Sequence, residues 1–179
     1  MKLLNVGGGS RVLPPRYEGC EQTLLDIDSS VNPDVCLDAK EIGRLAPNAY
    51  DVVYCSHNLE HFYQHDVDTV LKGFLHVLKP GGFADISVPN LEQLFKDMQV
   101  KNLDLQDIWY RNGSGLPITF HDVIYGWSMA MSQGNLYYAH KCGFTASSFY
   151  KELESAGFTA IQIVLDSINI TAKAYKPGD

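Results

Sequence analysis

The chain has 179 residues, 45% of them apolar, so it can bury one sizeable core and its length requires no second domain. Its formal net charge of −7 and the lack of any Lys/Arg run provide no attraction for nucleic acid or an anionic membrane, and we expect neither as a partner. The four cysteines form no C-x-x-C pair, and no stretch is typical of a signal peptide or a transmembrane helix, which predicts a reduced, cytoplasmic protein.

Short apolar runs alternate with connections in the first half of the chain. The runs at 2–6, 23–27, 34–38 and 50–56 have the length of strands and are mostly apolar, as strands covered on both faces are. From Val67 to Leu78 the apolar residues recur with helical spacing, and Pro80 with two glycines ends the pattern. This half therefore predicts strands followed by an amphipathic helix.

The second half of the chain completes the same pattern. Residues 83–89 predict a fifth strand, and Thr145 is a candidate N-cap for a helix that ends at Gly157. Two alternating runs, separated only by Asp166 and Ser167, predict a closing antiparallel hairpin. The fold class predicted is α/β: a Rossmann-like, doubly wound, mostly parallel seven-stranded sheet with an antiparallel C-terminal strand. We expect a single domain over residues 1–179, with a helical insertion at 90–144 after the fifth strand.

Polar residues and glycines follow the predicted strands at their carboxyl ends, where α/β sheets bind ligands. Gly7, Gly8 and Gly9 follow the first strand, and missing side chains allow a ligand to approach the backbone closely. Asp26 and Asp28 follow the second strand, where a carboxylate suits a ribose diol. Asp38 follows the third and could accept from an exocyclic amine. Each feature alone could be a plain turn, a solvated strand end or a helix cap, but together they favour a nucleoside-like ligand.

After the fourth strand comes SHNLEH, residues 56–61, which contains the His-x-x-Glu-His pattern of zinc peptidases. On one helix, His57 and His61 would share a face with His65. However, His57 directly follows a buried strand, and the helical pattern begins only near Val67. We therefore interpret the segment as a strand-to-helix turn over the ligand, with His61 or Phe62 shaping the pocket, and expect no metal. An NAD-dependent oxidoreductase is also disfavoured, because no third glycine opens a helix after the first strand.

The segments LNVGGGS, LLDID, CLDA, YDVVYCSHNLEHF and VLKPGGF together resemble class I S-adenosylmethionine-dependent methyltransferases, in particular small bacterial members. The resemblance extends over residues 2–90 and resumes from Thr145. It implies that the glycine loop lies against the methionine part of the cofactor, that Asp26 holds the ribose hydroxyls and that Asp38, with Ala39 beside it, meets the adenine amine. The cofactor-binding residues it implies are Gly7, Gly8, Gly9, Asp26, Asp28, Asp38, Ala39, Ser56, His57 and His61.

Two residues depart from the pattern of that family. Asn5 stands where the first strand usually carries an acid, and Arg11 stands where a third glycine is usual. The first crossover is short and contains Pro14 and Pro15, so we expect its usual helix to be broken or replaced by a loop. A degenerate cofactor binder without catalytic activity is therefore the alternative to an active enzyme.

The resemblance implies in-line methyl transfer from S-adenosylmethionine, and we expect a small-molecule or saccharide-type acceptor, with a homo-oligomer left open. The aromatic insertion is the candidate acceptor site or lid. It carries His121 and His140, which we predict as catalytic residues, either one able to accept a proton from the acceptor. The alternative is that its aromatic residues form only a small satellite core and that both histidines make local hydrogen bonds.

Overall fold

The computed structural model describes residues 1–178, which contain nine strands and five α-helices. The strands are β1 (Lys2–Val6), β2 (Glu21–Asp26), β3 (Val35–Cys36), β4 (Tyr50–Ser56), β5 (Leu78–Pro89), β6 (Ile108–Arg111), β7 (Pro117–Thr119), β8 (Thr159–Leu165) and β9 (Asn169–Tyr175). The helices are α1 (Gln64–Val77), α2 (Leu91–Lys101), α3 (Phe120–Tyr125), α4 (Ser128–Ser132) and α5 (Ala146–Ala156). None of the described helices is long and apolar enough to cross a membrane.

Seven strands form one sheet in the order β3-β2-β1-β4-β5-β9-β8. Strands β1 to β5 pair in parallel, whereas β9 runs antiparallel to both of its neighbours. The predicted fold class is therefore confirmed, and the strand order reverses between β1 and β4, where such sheets bind ligands. The β8–β9 connection includes Ile168 as well as the two predicted residues, because Asp166 accepts a hydrogen bond from the Ile168 amide at 2.8 Å.

Helices α1 and α5 pack on one face of the sheet and enclose the main core. The predicted apolar stripe of α1 is fully buried at Val67, Val70, Leu71 and Phe74. A capping box at Thr145 opens α5, because the side chains of Thr145 and Ser148 each bond the other's backbone amide. Gly157 ends the helix in the left-handed conformation, as the sequence predicted. Local sequence signals thus determined both helices.

The crossover between β1 and β2 covers part of the opposite face without an α-helix. Its two prolines lead into a single 3-10 turn, Pro15–Tyr17, in agreement with the sequence prediction. The ring of Tyr17 is buried against Tyr54, and its hydroxyl donates to Asp85 on the central strand β5. Arg16 Nη2 lies 2.8 Å from the same carboxylate oxygen. These contacts attach the crossover to the sheet and supply partners for the buried Asp85.

The insertion leaves the core at Asn90 and returns at Phe144, and these two residues form a parallel bridge beside the end of β5. It was predicted to be helical, and it does contain α2, α3 and α4, but β6 and β7 form a two-stranded ribbon that was not predicted. Asn112 builds the ribbon's turn by accepting from the amides of Ser114 and Leu116. A small separate core forms around Leu94, Phe120 and Val123. The satellite core that was the alternative interpretation of the insertion therefore exists, although it accounts for only part of the aromatic residues.

Candidate functional site

A cavity of about 400 Å³ lies at the carboxyl ends of β1, β2 and β4. All ten residues that the sequence assigned to the cofactor line it: Gly7, Gly8, Gly9, Asp26, Asp28, Asp38, Ala39, Ser56, His57 and His61. Asn58 also lines it and belongs to the segment 56–61 that the sequence placed over the ligand, but sequence reasoning missed further wall residues: Lys40, Tyr63, Asp66, Asn135, Tyr137, Tyr138 and Lys141. The last four come from the end of the insertion, and no local sequence signal could have assigned them to this cavity.

The glycine loop is shaped by close contacts beneath it. A Cβ atom on Gly7 would lie 2.0 Å from Asn58 Nδ2, and one on Gly8 would lie 2.4 Å from Asn5 Nδ2. Gly7 and Gly9 both have positive φ, and a Cβ atom on Gly9 would meet no atom within 4 Å. The first two glycines are therefore required by packing, whereas the third keeps open space beside the backbone.

The two residues that depart from the family pattern both stabilise this loop. Asn5 is 1% exposed and donates to the Ser10 carbonyl at 3.1 Å, while its Oδ1 has no partner among the described residues. Arg11 makes two hydrogen bonds of 2.7 Å to the carboxylate of Asp34. This guanidinium lowers the pKa of Asp34 to about 2. Both residues that depart from the family pattern thus make hydrogen bonds within the loop region.

The acids after β2 have different surroundings. Asp26 is 7% exposed, and its two oxygens accept from the backbone amides of Gly9 and Asp28, each at 3.0 Å. Asp28 is half-buried and caps the turn Ser29–Val31 by accepting from the Ser30 amide at 2.9 Å. Hydrogen bonds from Ser30 lower the pKa of Asp28, so this carboxylate is ionised at neutral pH. Both oxygens of Asp26 therefore accept hydrogen bonds from the protein's own backbone, whereas Asp28 accepts only through one oxygen among the described residues.

The SHNLEH segment forms a strand-to-helix turn. Ser56 ends β4, His57 has a φ of +50°, and Leu59–His61 is a short 3-10 turn that precedes α1. The two histidines of the His-x-x-Glu-His pattern therefore do not lie on one helix, and the peptidase interpretation is not supported. Asp38 similarly begins the 3-10 turn Ala39–Arg44 by accepting from the Lys40 amide at 2.9 Å, so it is both a cap and a wall residue.

A second cavity of about 160 Å³ lies between this turn and the insertion. It shares His57, His61 and Tyr138 with the first cavity, so the two cavities adjoin at these side chains. The remaining wall is largely aromatic and contains Trp109, Tyr110 and Trp127, together with Glu60 and His140. The insertion and the core turn thus enclose this smaller space jointly.

Glu60 is the least expected member of that wall. It is 1% exposed, and neither carboxylate oxygen has a hydrogen-bond partner among the described residues. His57 Nδ1 lies 3.4 Å from one of the oxygens, without the geometry of a hydrogen bond. Burial alone would raise the pKa of Glu60, but the neighbouring His57, His61 and His140 lower it. In the same way, burial would lower the pKa of His57, but Glu60 raises it. An ionised carboxylate is therefore held among three imidazoles.

The two histidines that the sequence selected as catalytic have different positions. His140 Nδ1 lies 2.8 Å from the Val123 carbonyl oxygen. The centroid of its ring lies 4.8 Å from that of His61, in an edge-to-face arrangement. Burial lowers the pKa of His140, which favours its neutral form. His121 packs against Tyr125 and lines neither of the two cavities. The structure thus brings His140 to the site but not His121.

The profile of the methyltransferase domain family matches residues 1–163. Among solved structures, a possible exported protein from Bordetella parapertussis is 19% identical, with a TM-score of 0.59 over 99% of this chain and 62% of that one. An S-adenosylmethionine-dependent methyltransferase from Archaeoglobus fulgidus is 16% identical, with a TM-score of 0.60 over 98% and 86%. The 1,6-didemethyltoxoflavin N1-methyltransferase of Burkholderia thailandensis, solved with that compound and S-adenosylhomocysteine, is 16% identical, with a TM-score of 0.55 over 98% and 71%.

The chain therefore spans less than two thirds of the Bordetella protein, and at such identities these structures demonstrate a common fold. Comparison with the curated proteins found no significant match. The family match covers most of the sequence, including every strand end that lines the larger cavity. This chain belongs to the methyltransferase domain family.

Proposed function

We propose that the protein binds S-adenosylmethionine in the larger cavity and transfers its methyl group to a small-molecule acceptor in the smaller one. The observation that carries this proposal is the shared wall of His57, His61 and Tyr138 between the two cavities. A donor in one cavity and an acceptor in the other would meet where the two cavities adjoin, beside these three side chains. Such enforced proximity can supply much of the rate of a displacement reaction.

The residues of the larger cavity fit this cofactor. Its volume is within the range of small-molecule sites, and the open space at Gly9 allows close approach of a ligand to the backbone. We assign the ribose diol to Asp28, supported by Asp26, and the adenine to the wall around Asp38 and Ala39. When bound, the cofactor would supply a methyl group on a sulfonium sulfur, and the neutral thioether that remains after transfer is a good leaving group.

The chain's own residues then orient the methionine end of the ligand. The buried Asn5 side chain and the half-buried Asn58 side chain pack against the glycine loop, and the turn after Ser56 closes the cavity toward the insertion. His57 occupies a left-handed conformation that is uncommon outside glycine, which indicates that its placement is imposed by the surrounding structure. We propose that Ser56, His57 and His61 direct the ligand toward the second cavity.

The second cavity suits a compact acceptor with a hydroxyl or amine group. The aromatic rings of Trp109, Tyr110 and Trp127 offer apolar faces against which a sugar or planar ring can pack. Of the two candidate bases, we propose His140, because it lines this cavity and its lowered pKa keeps the imidazole neutral at neutral pH. His121 would then be dispensable for transfer.

Cofactor binding is tested by thermal melting with S-adenosylhomocysteine and with NAD. A ligand that binds the native state raises the melting temperature by mass action, so we expect a shift with the first compound and none with the second. A shift with NAD alone would overturn the proposal.

Transfer is tested with labelled S-adenosylmethionine and a panel of sugars and small phenols or amines. His140→Gln should abolish transfer while the shift with S-adenosylhomocysteine persists, and His121→Gln serves as the matched control. If the wild-type protein binds the cofactor but methylates no acceptor, the degenerate binder becomes the better interpretation. If His121→Gln is inactive and His140→Gln is active, the assignment of the base is wrong.

A further inference from the structure

We propose that Glu60, His61 and His140 form a binding site for a divalent transition-metal ion in the second cavity. One ligand atom from each of these three residues lies within 4.8 Å of the other two. Two of the residues belong to the turn after β4, and the third comes from the end of the insertion. The ion would therefore join the insertion to the core where the two cavities adjoin.

The first argument is the state of Glu60. A carboxylate that is almost fully buried is strongly unfavourable unless it is paired, hydrogen-bonded or bound to a metal. Neither oxygen of Glu60 has a hydrogen-bond partner among the described residues, although the side chain is only 1% exposed. His57 Nδ1, at 3.4 Å from one oxygen, can pair with it by charge when protonated but makes no hydrogen bond to either oxygen. A bound cation would supply the missing partner.

The second argument is the orientation of the two imidazoles. His61 Nδ1 lies 3.0 Å from the Ala139 carbonyl, and His140 Nδ1 lies 2.8 Å from the Val123 carbonyl. Because a carbonyl oxygen can only accept, each Nδ1 must carry a proton, and in the neutral imidazole the lone pair then lies on Nε2. A hydrogen bond from one ring nitrogen to a backbone carbonyl is the arrangement that orients histidine ligands in metal sites. The two carbonyls thus fix the tautomer and the orientation in which each ring can bind a metal ion through Nε2.

The donor set indicates which ions would bind. Two imidazole nitrogens and one carboxylate suit Zn²⁺ and other first-row transition metals better than Mg²⁺ or Ca²⁺, which prefer oxygen ligands. Ligand bonds of about 2.0–2.1 Å place neighbouring ligands about 3.3 Å apart in a tetrahedral site, so the side chains would approach by about 1.5 Å at most. Three protein ligands leave a coordination position open toward the cavity.

This site differs from the zinc peptidase pattern that the sequence suggested. His57 is not a ligand, and the second histidine is His140, which no spacing rule within the motif could have identified. The sequence led us to expect no metal, because it offered only the two histidines of the motif and they do not share a helix. Ion binding itself does not depend on the proposed function. Its effect on methyl transfer does: with the ion bound, His140 would be a ligand instead of the base, and a hydroxyl acceptor at the open coordination position would have its pKa lowered by the ion and release its proton to water.

The test uses the full chain without an affinity tag, treated with EDTA and dialysed. Zn²⁺ is titrated by calorimetry, and Co²⁺ by its visible absorption. We expect one equivalent of Zn²⁺, with affinity reduced by more than about 100-fold in Glu60→Gln and in His140→Gln, since loss of a ligand should exceed the loss seen for outer-shell partners. His65→Gln and His121→Gln, which replace histidines outside the cluster, should bind as the wild type does.

A measurement on the wild-type protein avoids variants that fail to fold. Nitrogen NMR of the histidine rings should show Nδ1 protonated in both His61 and His140, with the Nε2 signals of these two residues shifting on addition of Zn²⁺. The inference is overturned if the wild type binds no stoichiometric Zn²⁺, if binding survives in both Glu60→Gln and His140→Gln, or if it is lost in His57→Gln but retained in His140→Gln. A protein that binds Zn²⁺ at this cluster but shows no thermal shift with S-adenosylhomocysteine would support the metal site and refute the proposed function.

Discussion

The two acids after β2 should respond differently to substitution, because only one of them is committed to holding the protein together. The buried Asp26 accepts from the backbone amides of Gly9 and Asp28, whereas Asp28 caps an exposed turn at the cavity edge. We expect Asp26→Ala to reduce stability and Asp28→Ala to reduce cofactor affinity.

The magnitudes follow from the hydrogen bonds that each change removes. A hydrogen bond to a charged group contributes about 1.5–3 kcal/mol, so losing the two at Asp26 should lower the free energy of unfolding by about 3 kcal/mol or more. For a chain of this size, that corresponds to a melting temperature lower by roughly 6–12 °C. A carboxylate that accepts from both ribose hydroxyls should contribute about two orders of magnitude to affinity, so Asp28→Ala should weaken S-adenosylhomocysteine binding by roughly 100-fold.

Calorimetric titration with S-adenosylhomocysteine and thermal melting of the ligand-free variants measure the two effects separately. Glu18→Ala, which removes an exposed acid of the β1–β2 crossover outside the cavity wall, controls for general loss of charge. The reasoning is refuted if Asp28→Ala binds S-adenosylhomocysteine as tightly as the wild type while Asp26→Ala loses affinity at unchanged melting temperature. Asp26 alone would then bind the ribose hydroxyls.

Three further outcomes are expected. Gly8→Ala should abolish the thermal shift with S-adenosylhomocysteine, because its Cβ would lie 2.4 Å from Asn5 Nδ2. The control Gly43→Ala, whose Cβ would meet no atom of the described residues within 4 Å, should bind normally. Equal binding by both variants would contradict this view of the loop. Tyr17→Phe removes a hydrogen bond to the buried Asp85 and should cost about 2 kcal/mol of stability in denaturant unfolding, and an unchanged midpoint would refute it. Burial lowers the pKa of His140 below its usual 6.5, so as the pH falls the unfolded chain takes up this proton before the folded one, and stability should fall as the pH drops below about 6.5. Melting curves of His140→Gln should lack this part of the pH dependence. Identical pH profiles for the variant and the wild type would refute the contribution of His140.

The sequence alone determined the elements whose signals are local. The buried stripe of α1, the capping box at Thr145 and the left-handed Gly157 depend on residues within one or two helical turns, so they could be predicted without knowledge of the rest of the chain. The same holds for the glycines and acids at the strand ends, because parallel strands bring their carboxyl ends to one edge of the sheet.

Tertiary structure decided what depends on distant segments meeting. The wall of the second cavity combines His61 and Glu60 with His140 and Tyr138 from the insertion, and backbone contacts such as the Lys141 amide to the Glu60 carbonyl at 2.8 Å fix that meeting. Neither the exclusion of His121 from the cavities nor the buried carboxylate of Glu60, which makes no hydrogen bond among the described residues, follows from any spacing in the sequence. Burial and partner choice at these residues are set by the packing of the insertion onto the turn after β4, which involves residues about 80 positions apart in the chain.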